Sequence, residues 1–230
     1  MNTLNKNIHS NEILLENKSI LTPIRVQILR SICMAPKTAY SVSKELKLHV
    51  STIYRNLDVL SAYNLIMIYS VEPYKQVTKK YYMPSLKGFF GVYGYLSDLA
   101  RDFFYYYNKY IFSRWGFMVD EARCEKYAIL SSNELLLKTE FNMLKPFLET
   151  YGLTLDDLNE LMAYLSLIVY IVENIDNMEV KKLETKRIAI LAEIAKEKPE
   201  FYNILERRIL FKSQAGLKFL NMIKELMQAK

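Results

Sequence analysis

Six glycines and six prolines are all that 230 residues contain, and that scarcity is the tightest constraint on the fold. A turn-dense all-β chain needs more of both, because they supply the backbone angles of tight turns. Long helices are therefore expected, and the few Gly and Pro residues mark where elements start and stop. The residues are 51% apolar and 24% charged, which suits one large or two modest globular domains. Cys33 and Cys124 stand far apart in no metal-ligand spacing. Both read as small buried hydrophobes, with neither a disulfide framework, a metal centre nor a cofactor expected. The N-terminus lacks the basic stretch and apolar run of a secretory leader. The longest apolar run, Leu161 to Val172, falls short of the ~20 residues that a membrane span requires. It is expected to form a buried helix in a cytoplasmic protein with no membrane partner.

Residues 1–18 read as a polar N-terminal arm, with Ile13, Leu14 and Leu15 able to dock on the body or on a second subunit. Thr22-Pro23 then combines an N-cap with proline at the first helical position. Ile24, Ile28, Leu29 and Ile32 share one face of the helix that follows, which stops at Pro36. Thr38 caps a short second helix with Ala39, Val42 and Leu46 inward, and Lys47-Leu48 makes a tight turn. A third helix from Val50 to Tyr63 turns Val50, Ile53, Leu57 and Leu60 to one side and ends at Asn64, a usual substitute for glycine at a helix C-terminus. Residues 65–71 are β-branched and apolar enough for a strand, 72–76 for a turn, and 77–83 for a second strand.

Beyond Pro84 only helices are expected. Ser85 caps one running through Leu86, Phe90, Tyr93, Leu96, Leu99 and Phe103 towards Phe112, broken at Arg114-Trp115-Gly116. The next spans Met118 to Leu130. A third starts at Ser131-Ser132-Asn133-Glu134 and is kinked or ended by Pro146. Thr154 to Asp157 caps another, reaching about Ile175, and two more cover Met178 to Glu197 and Pro199 to Met227. Lys181-Lys182-Leu183-Glu184 and Glu206-Arg207-Arg208 read as solvated faces of these last helices. The fold class is thus mainly α: three helices and a two-stranded β-wing over residues 19–88, a winged helix-turn-helix, followed by an all-helical part over residues 89–230.

Charge separates these parts. Residues 19–88 hold ten cations (Arg25, Arg30, Lys37, Lys44, Lys47, Arg55, Lys75, Lys79, Lys80, Lys87) and three anions (Glu45, Asp58, Glu72). Their net charge is therefore +7, whereas the rest of the chain sums to −1. Such a distribution fits a polyanion-binding module on a nearly neutral body.

Within the cationic segment, Lys44-Glu45-Leu46 closes the second helix, and Ser51-Thr52-Ile53-Tyr54-Arg55-Asn56-Leu57 opens the third. Tyr63-Asn64-Leu65-Ile66 leads into the hairpin, and Tyr81-Tyr82-Met83-Pro84-Ser85-Leu86-Lys87-Gly88 leaves it. These residues resemble the winged-helix transcription regulators of bacteria and archaea, the broad superfamily of ArsR-like and PadR-like proteins. Glycine is usual there in place of Asn64, and the wing exit is commonly Tyr-x-Leu-Thr-x-x-Gly. The resemblance covers about 70 of the 230 residues and ends at Gly88. It implies a DNA-binding regulator of transcription and is silent on the target sequence. A bias to Ile, Lys and Tyr with few Gln points to an AT-rich or thermophilic archaeal source.

With its apolar positions inward, the third helix turns Ser51, Thr52, Tyr54, Arg55 and Asp58 outward. The first four lie at the end that enters a major groove in helix-turn-helix docking. Arg55 can grip a guanine or a phosphate, Ser51 and Thr52 can reach base edges or phosphates, and Tyr54 can meet a thymine methyl. Lys44 and Lys47 beside the helix, and Lys75, Lys79 and Lys80 on the wing, suit phosphate or minor-groove contacts. His49 is either a phosphate neighbour or an ordinary turn residue. No glycine-rich phosphate loop, Gly-x-Ser-x-Gly elbow or His-Glu-x-x-His helix occurs, so an enzyme is not expected.

Phe103, Phe104, Tyr105, Tyr106, Tyr107, Tyr110 and Phe112 cannot share one helical face. Three readings are open: a helix buried in a bundle, a dimer interface carried by Phe103, Phe104, Tyr106, Tyr107 and Tyr110, or an aromatic pocket for a small apolar effector. The function these features favour is a homodimeric regulator that places one helix of each copy in the major groove of double-stranded DNA. The alternatives are a winged-helix protein-interaction module and a ligand-responsive regulator.

Overall fold

The computed structural model describes residues 15, 18–75, 77–114, 119–159, 161–200, 202–203, 206 and 214–228. Of the expected arm, residues 1–14, 16 and 17 lie outside these. The chain divides into two compact units, Met1–Tyr106 and Tyr107–Lys230. The division falls later than residue 88 because the helices after the hairpin pack back onto the first unit. Arg30 holds Asp98 through two hydrogen bonds of 2.7 and 2.8 Å, and the Phe89 ring stacks on Phe103 at 4.3 Å.

The first unit begins with a 3-10 turn, Lys18–Ile20, and three helices: α1 (Pro23–Met34), α2 (Ala39–Leu46) and α3 (Val50–Ala62). Thr22 and Thr38 cap α1 and α2 by accepting the backbone N–H groups of Arg25 and Ser41. Lys47 closes α2 in a left-handed conformation, φ 54°. Ile28, Leu29 and Ile32 of α1 and Ile53, Leu57 and Leu60 of α3 are fully buried and make the core. Val50 and Leu46, expected inward, are half-buried at the ends of their helices.

A two-stranded antiparallel sheet follows, β1 (Ile66–Tyr74) and β2 (Val77–Pro84). The strands are longer than the sequence predicts, with Tyr74 paired to Val77 and only Lys75 and Gln76 between them. Glu72 and Pro73, expected in the turn, belong to β1. A two-stranded ribbon leaves each strand a free edge, where the missing N–H of proline costs no ladder bond. Lys75 takes the left-handed conformation a tight hairpin turn demands, φ 53°. Lys37 lies on the outer edge of β2, exchanging hydrogen bonds of 3.1 and 2.9 Å with Tyr82.

Ser85 does cap a helix, accepting the Gly88 N–H at 2.9 Å, but that helix is short. In place of one long element stand α4 (Leu86–Gly91), α5 (Tyr93–Leu96), a 3-10 turn (Ser97–Leu99) and α6 (Ala100–Arg114). Leu86, Phe89, Phe90, Val92, Tyr93 and Leu96 are all buried, and one straight helix cannot turn residues on every side towards one small core. The chain bends at Val92, which leaves helical geometry between Gly91 and Gly94, where helix propensity is lowest.

The aromatic run of α6 is largely interior. Phe103 and Phe104 are 0% exposed and Tyr107 2%. A ring with no surface in the single chain has none to offer a second copy, so these three leave the expected interface. Tyr106 and Tyr110 are half-buried. Tyr106 meets Tyr69 edge-on at 6.2 Å, and Tyr110 accepts a 2.9 Å hydrogen bond from Arg114.

The second unit is helical: α7 (Glu121–Ser131), α8 (Glu134–Tyr151), a 3-10 turn (Asp157–Asn159), α9 (Leu161–Asn174), α10 (Met178–Glu197) and α11 (Gln214–Gln228). Residues 115–118, where the break after α6 was expected, and 207–213, within the last expected helix, lie outside the described residues. Asn133 caps α8, accepting the Leu136 N–H. The helix runs through Pro146 to a left-handed Gly152. Pro146 removes a hydrogen bond to the Asn142 carbonyl. Both residues are exposed, so water can satisfy that carbonyl. The apolar run forms α9, buried from Tyr164 to Val169 and packed against α8, α10 and α11. Among the described residues no helix is long and apolar enough to cross a membrane. Cys33 and Cys124 are both buried, and burial raises both thiols, Cys124 to about 11.

Two backbone positions fix the exit and return of the hairpin. Asn64 is left-handed, φ 57°, and a Cβ on Gly88 would lie 1.9 Å from the Leu65 carbonyl oxygen. Asn64→Val is expected to cost about 1–2 kcal/mol. Gly88→Ala is expected to cost at least about 1–3 kcal/mol, because a backbone atom has to move. Asn64→Gly is expected to be tolerated, and urea unfolding of the three variants checks the order.

Candidate nucleic-acid interface

The candidate surface is built on α3. Its N-cap is His49, a residue type outside the usual Ser, Thr, Asp and Asn set. The His49 Nδ1 accepts the Ser51 backbone N–H at 3.3 Å and lies 2.7 Å from the Ser51 hydroxyl. Accepting at Nδ1 places the proton of the neutral ring on Nε2. The sequence left His49 as a phosphate neighbour or a turn residue; its capping role depends on a ring orientation that spacing does not show.

Along the helix Ser51, Tyr54, Arg55 and Asp58 are exposed, as the helical period requires, while Thr52 is half-buried. Asn56, which sequence reasoning passed over, explains the packing on that side. Its Oδ1 accepts from Arg25 Nε at 3.1 Å, and its Nδ2 donates to the Thr52 carbonyl at 2.8 Å. Arg25 also donates to the Ile20 carbonyl at 2.8 Å. This cation of α1 is thus a strut between helices.

Two further cations of the segment are occupied internally. Arg30 binds Asp98, whose carboxyl is lowered by that hydrogen-bonded guanidinium. Lys37 lies 2.6 Å from Glu45, which also accepts from Ser31 at 3.0 Å. Burial works to raise the Glu45 carboxyl, and these two partners outweigh it, leaving it lowered. Lys44, Lys47, Arg55, Lys75 and Lys80 are exposed. Lys44 stands at the C-terminal end of α2, 5.3 Å over the Tyr40 ring.

The wing separates residues that the sequence grouped. Successive strand residues face opposite sides, so Lys79 and Lys80 point apart. A bulge between Ile68 and Ser70 sets which β1 residues join each. On one face Lys79 lies 3.7 Å over the Tyr74 ring and Tyr81 donates to Glu72 at 3.0 Å. The other face carries Tyr82 and Lys80. Burial raises the Tyr82 hydroxyl, with smaller effects from Tyr54 and Asp58 of α3. Lys80 shares the hairpin face of Tyr82, and Lys79 does not.

No family model matches the chain, and a search of curated proteins finds no similar sequence.

Losing the cap exposes this geometry to test. His49→Ala is expected to cost about 1 kcal/mol of stability, the usual worth of an N-cap, and His49→Asn to restore most of it. Urea unfolding of the two variants beside the wild type measures the difference.

Proposed function

We propose that the chain is a sequence-specific DNA-binding regulator of transcription. Its first unit acts as a winged helix-turn-helix, and two copies place their α3 helices in successive major grooves of a palindromic site. The observation that carries the reading is one helix with two unlike sides. Ile53, Leu57 and Leu60 are fully buried, and Ser51, Tyr54 and Arg55 are exposed at its N-terminal end. The helix packs against a hairpin bearing Lys80, in a segment of net charge +7. Three helices followed by an antiparallel hairpin are consistent with a wing. The roles follow from chemistry: Arg55 for a guanine edge or a phosphate, Ser51 and Thr52 for base edges or phosphates, Lys44, Lys47 and Lys80 for phosphates. Pairing two half-sites by symmetry would multiply weak single-site binding, and a regulator of this kind works in the cytoplasm beside its operator.

A second reading has support of its own. Tyr40, Tyr63, Val71, Tyr74 and Val77 of the same unit are exposed, between 43% and 62%, as they would be on a protein-interaction module. The two readings part on salt. A DNA-binding unit making several phosphate contacts loses affinity steeply as salt rises, log affinity falling by about 0.9 per log salt for each phosphate neutralised. Fluorescence anisotropy on duplexes enriched from genomic fragments is expected to show that slope, and its absence favours the interaction module. Arg55→Ala should weaken binding by about 1–3 kcal/mol. Lys80→Ala should lower the slope by about one contact, and Lys79→Ala should leave it nearly unchanged.

A further inference from the structure

The second unit buries three charged side chains in one place. Glu140 of α8 and Glu184 and Arg187 of α10 are each 0% exposed. Glu184 reverses an expectation, since its charged run read as a solvated face. Lys182 is exposed there, but Glu184 and Arg187, three apart and so on one side of α10, both point inward. Arg187 Nη1 donates to Glu140 Oε1 at 2.6 Å, and the Tyr164 hydroxyl of α9 donates to the same oxygen at 3.2 Å. Tyr127 of α7 and Tyr164 flank the guanidinium, each ring centroid 5.5 Å from Cζ.

Glu140 is thus well held and Glu184 is not. Arg187 Nε approaches Glu184 Oε2 at 3.2 Å without hydrogen-bond alignment. Both Glu184 oxygens, together with Arg187 Nε and Nη2, lack hydrogen-bond partners. One guanidinium facing two fully buried carboxylates leaves one negative charge in excess, which a protein core holds only at high cost. A proton on Glu184 removes that excess and makes the carboxyl a donor.

We propose that the Glu140–Arg187–Glu184 cluster is a proton-gated latch. With one proton on Glu184 it holds α8 and α10 together, and on losing that proton it gains a buried negative charge and loosens them. The groups acting on it come from each packed helix in turn: Tyr127 from α7, Glu140 from α8, Tyr164 from α9 and Arg187 from α10 itself. Among the described residues, α11 contributes none of the groups acting on it, although it packs on α9 and α10. Burial pushes the Glu184 carboxyl up to about 8, with Arg187 opposing and Glu140 adding to the rise. Burial also raises Glu140, so the two carboxyls titrate as a pair.

The sign follows from linkage. Both carboxyls of the pair are raised in the fold above the 4.5 of the unfolded chain, Glu184 to about 8, so between these values the fold keeps a proton that the unfolded chain has lost. The contribution is fully present below 4.5, declines as pH rises, and is lost once pH passes 8. The unfolding constant should therefore rise by up to tenfold per pH unit across that window.

The test is unfolding of the full chain across pH, wild type against Glu184→Gln, which keeps the shape and cannot ionise. The wild type should lose stability relative to the variant as pH rises towards about 8 and run parallel to it beyond. Parallel profiles throughout would overturn the proposal. Infrared spectroscopy of the wild type gives a check that needs no folded variant. A protonated-carboxyl stretch should be present at neutral pH and vanish above about 8; its absence at neutral pH would refute the latch.

Discussion

Everything proposed for the first unit depends on holding one side of α3 so firmly that the other side is left for recognition. Ile53, Leu57 and Leu60 have at most 1% exposure, which fixes the rotation of the helix about its own axis. Burial alone fixes rotation better than it fixes translation. The Arg25–Asn56–Thr52 chain of hydrogen bonds supplies a directional tie from α1 to the middle of α3. A readout surface needs such a tie because contacts to base edges discriminate only when donors and acceptors arrive in register.

The hairpin shows how a single extra residue decides which charges act together. The bulge at Tyr69 turns Ser70, Glu72 and Tyr74 to the side of Lys79 and Tyr81. There the cation rests on an aromatic face and the tyrosine on a carboxylate, which satisfies that side locally. The opposite side carries Lys80 and Tyr82, and Tyr82 feels Tyr54 and Asp58 of α3. Lys37, on the outer edge of β2, ties the loop between α1 and α2 to the hairpin, so helices and wing form one assembly.

The two units handle charge in opposite ways. In the first, Lys44, Lys47, Arg55, Lys75 and Lys80 stand in water, where their attraction for a polyanion is long-ranged and salt-sensitive. In the second, Arg187 and two glutamates sit where screening is weak and each ion must find a partner. A solvated pair such as Lys145–Glu149, at 3.9 Å and largely exposed, adds little stability. The buried cluster can tie stability to protonation because water cannot share its load.

The sequence by itself determined the order of elements, from Thr22-Pro23 and Thr38 through Asn133 to α10, whose bounds Met178–Glu197 match the periodic pattern. It also determined the outward side of α3 and the concentration of cations, since caps and hydrophobic period act within a few residues. Tertiary structure decided the rest. Phe103, Phe104 and Tyr107 proved to be core, the helix after Ser85 broke at Val92, His49 became a cap, and Lys79 parted from Lys80. Glu184, in a run that looks like any solvated helix face, was drawn into the interior beside Glu140, 44 positions earlier in the chain. Local pattern registers a charge and its period, but whether water reaches that charge depends on which distant segments pack over it.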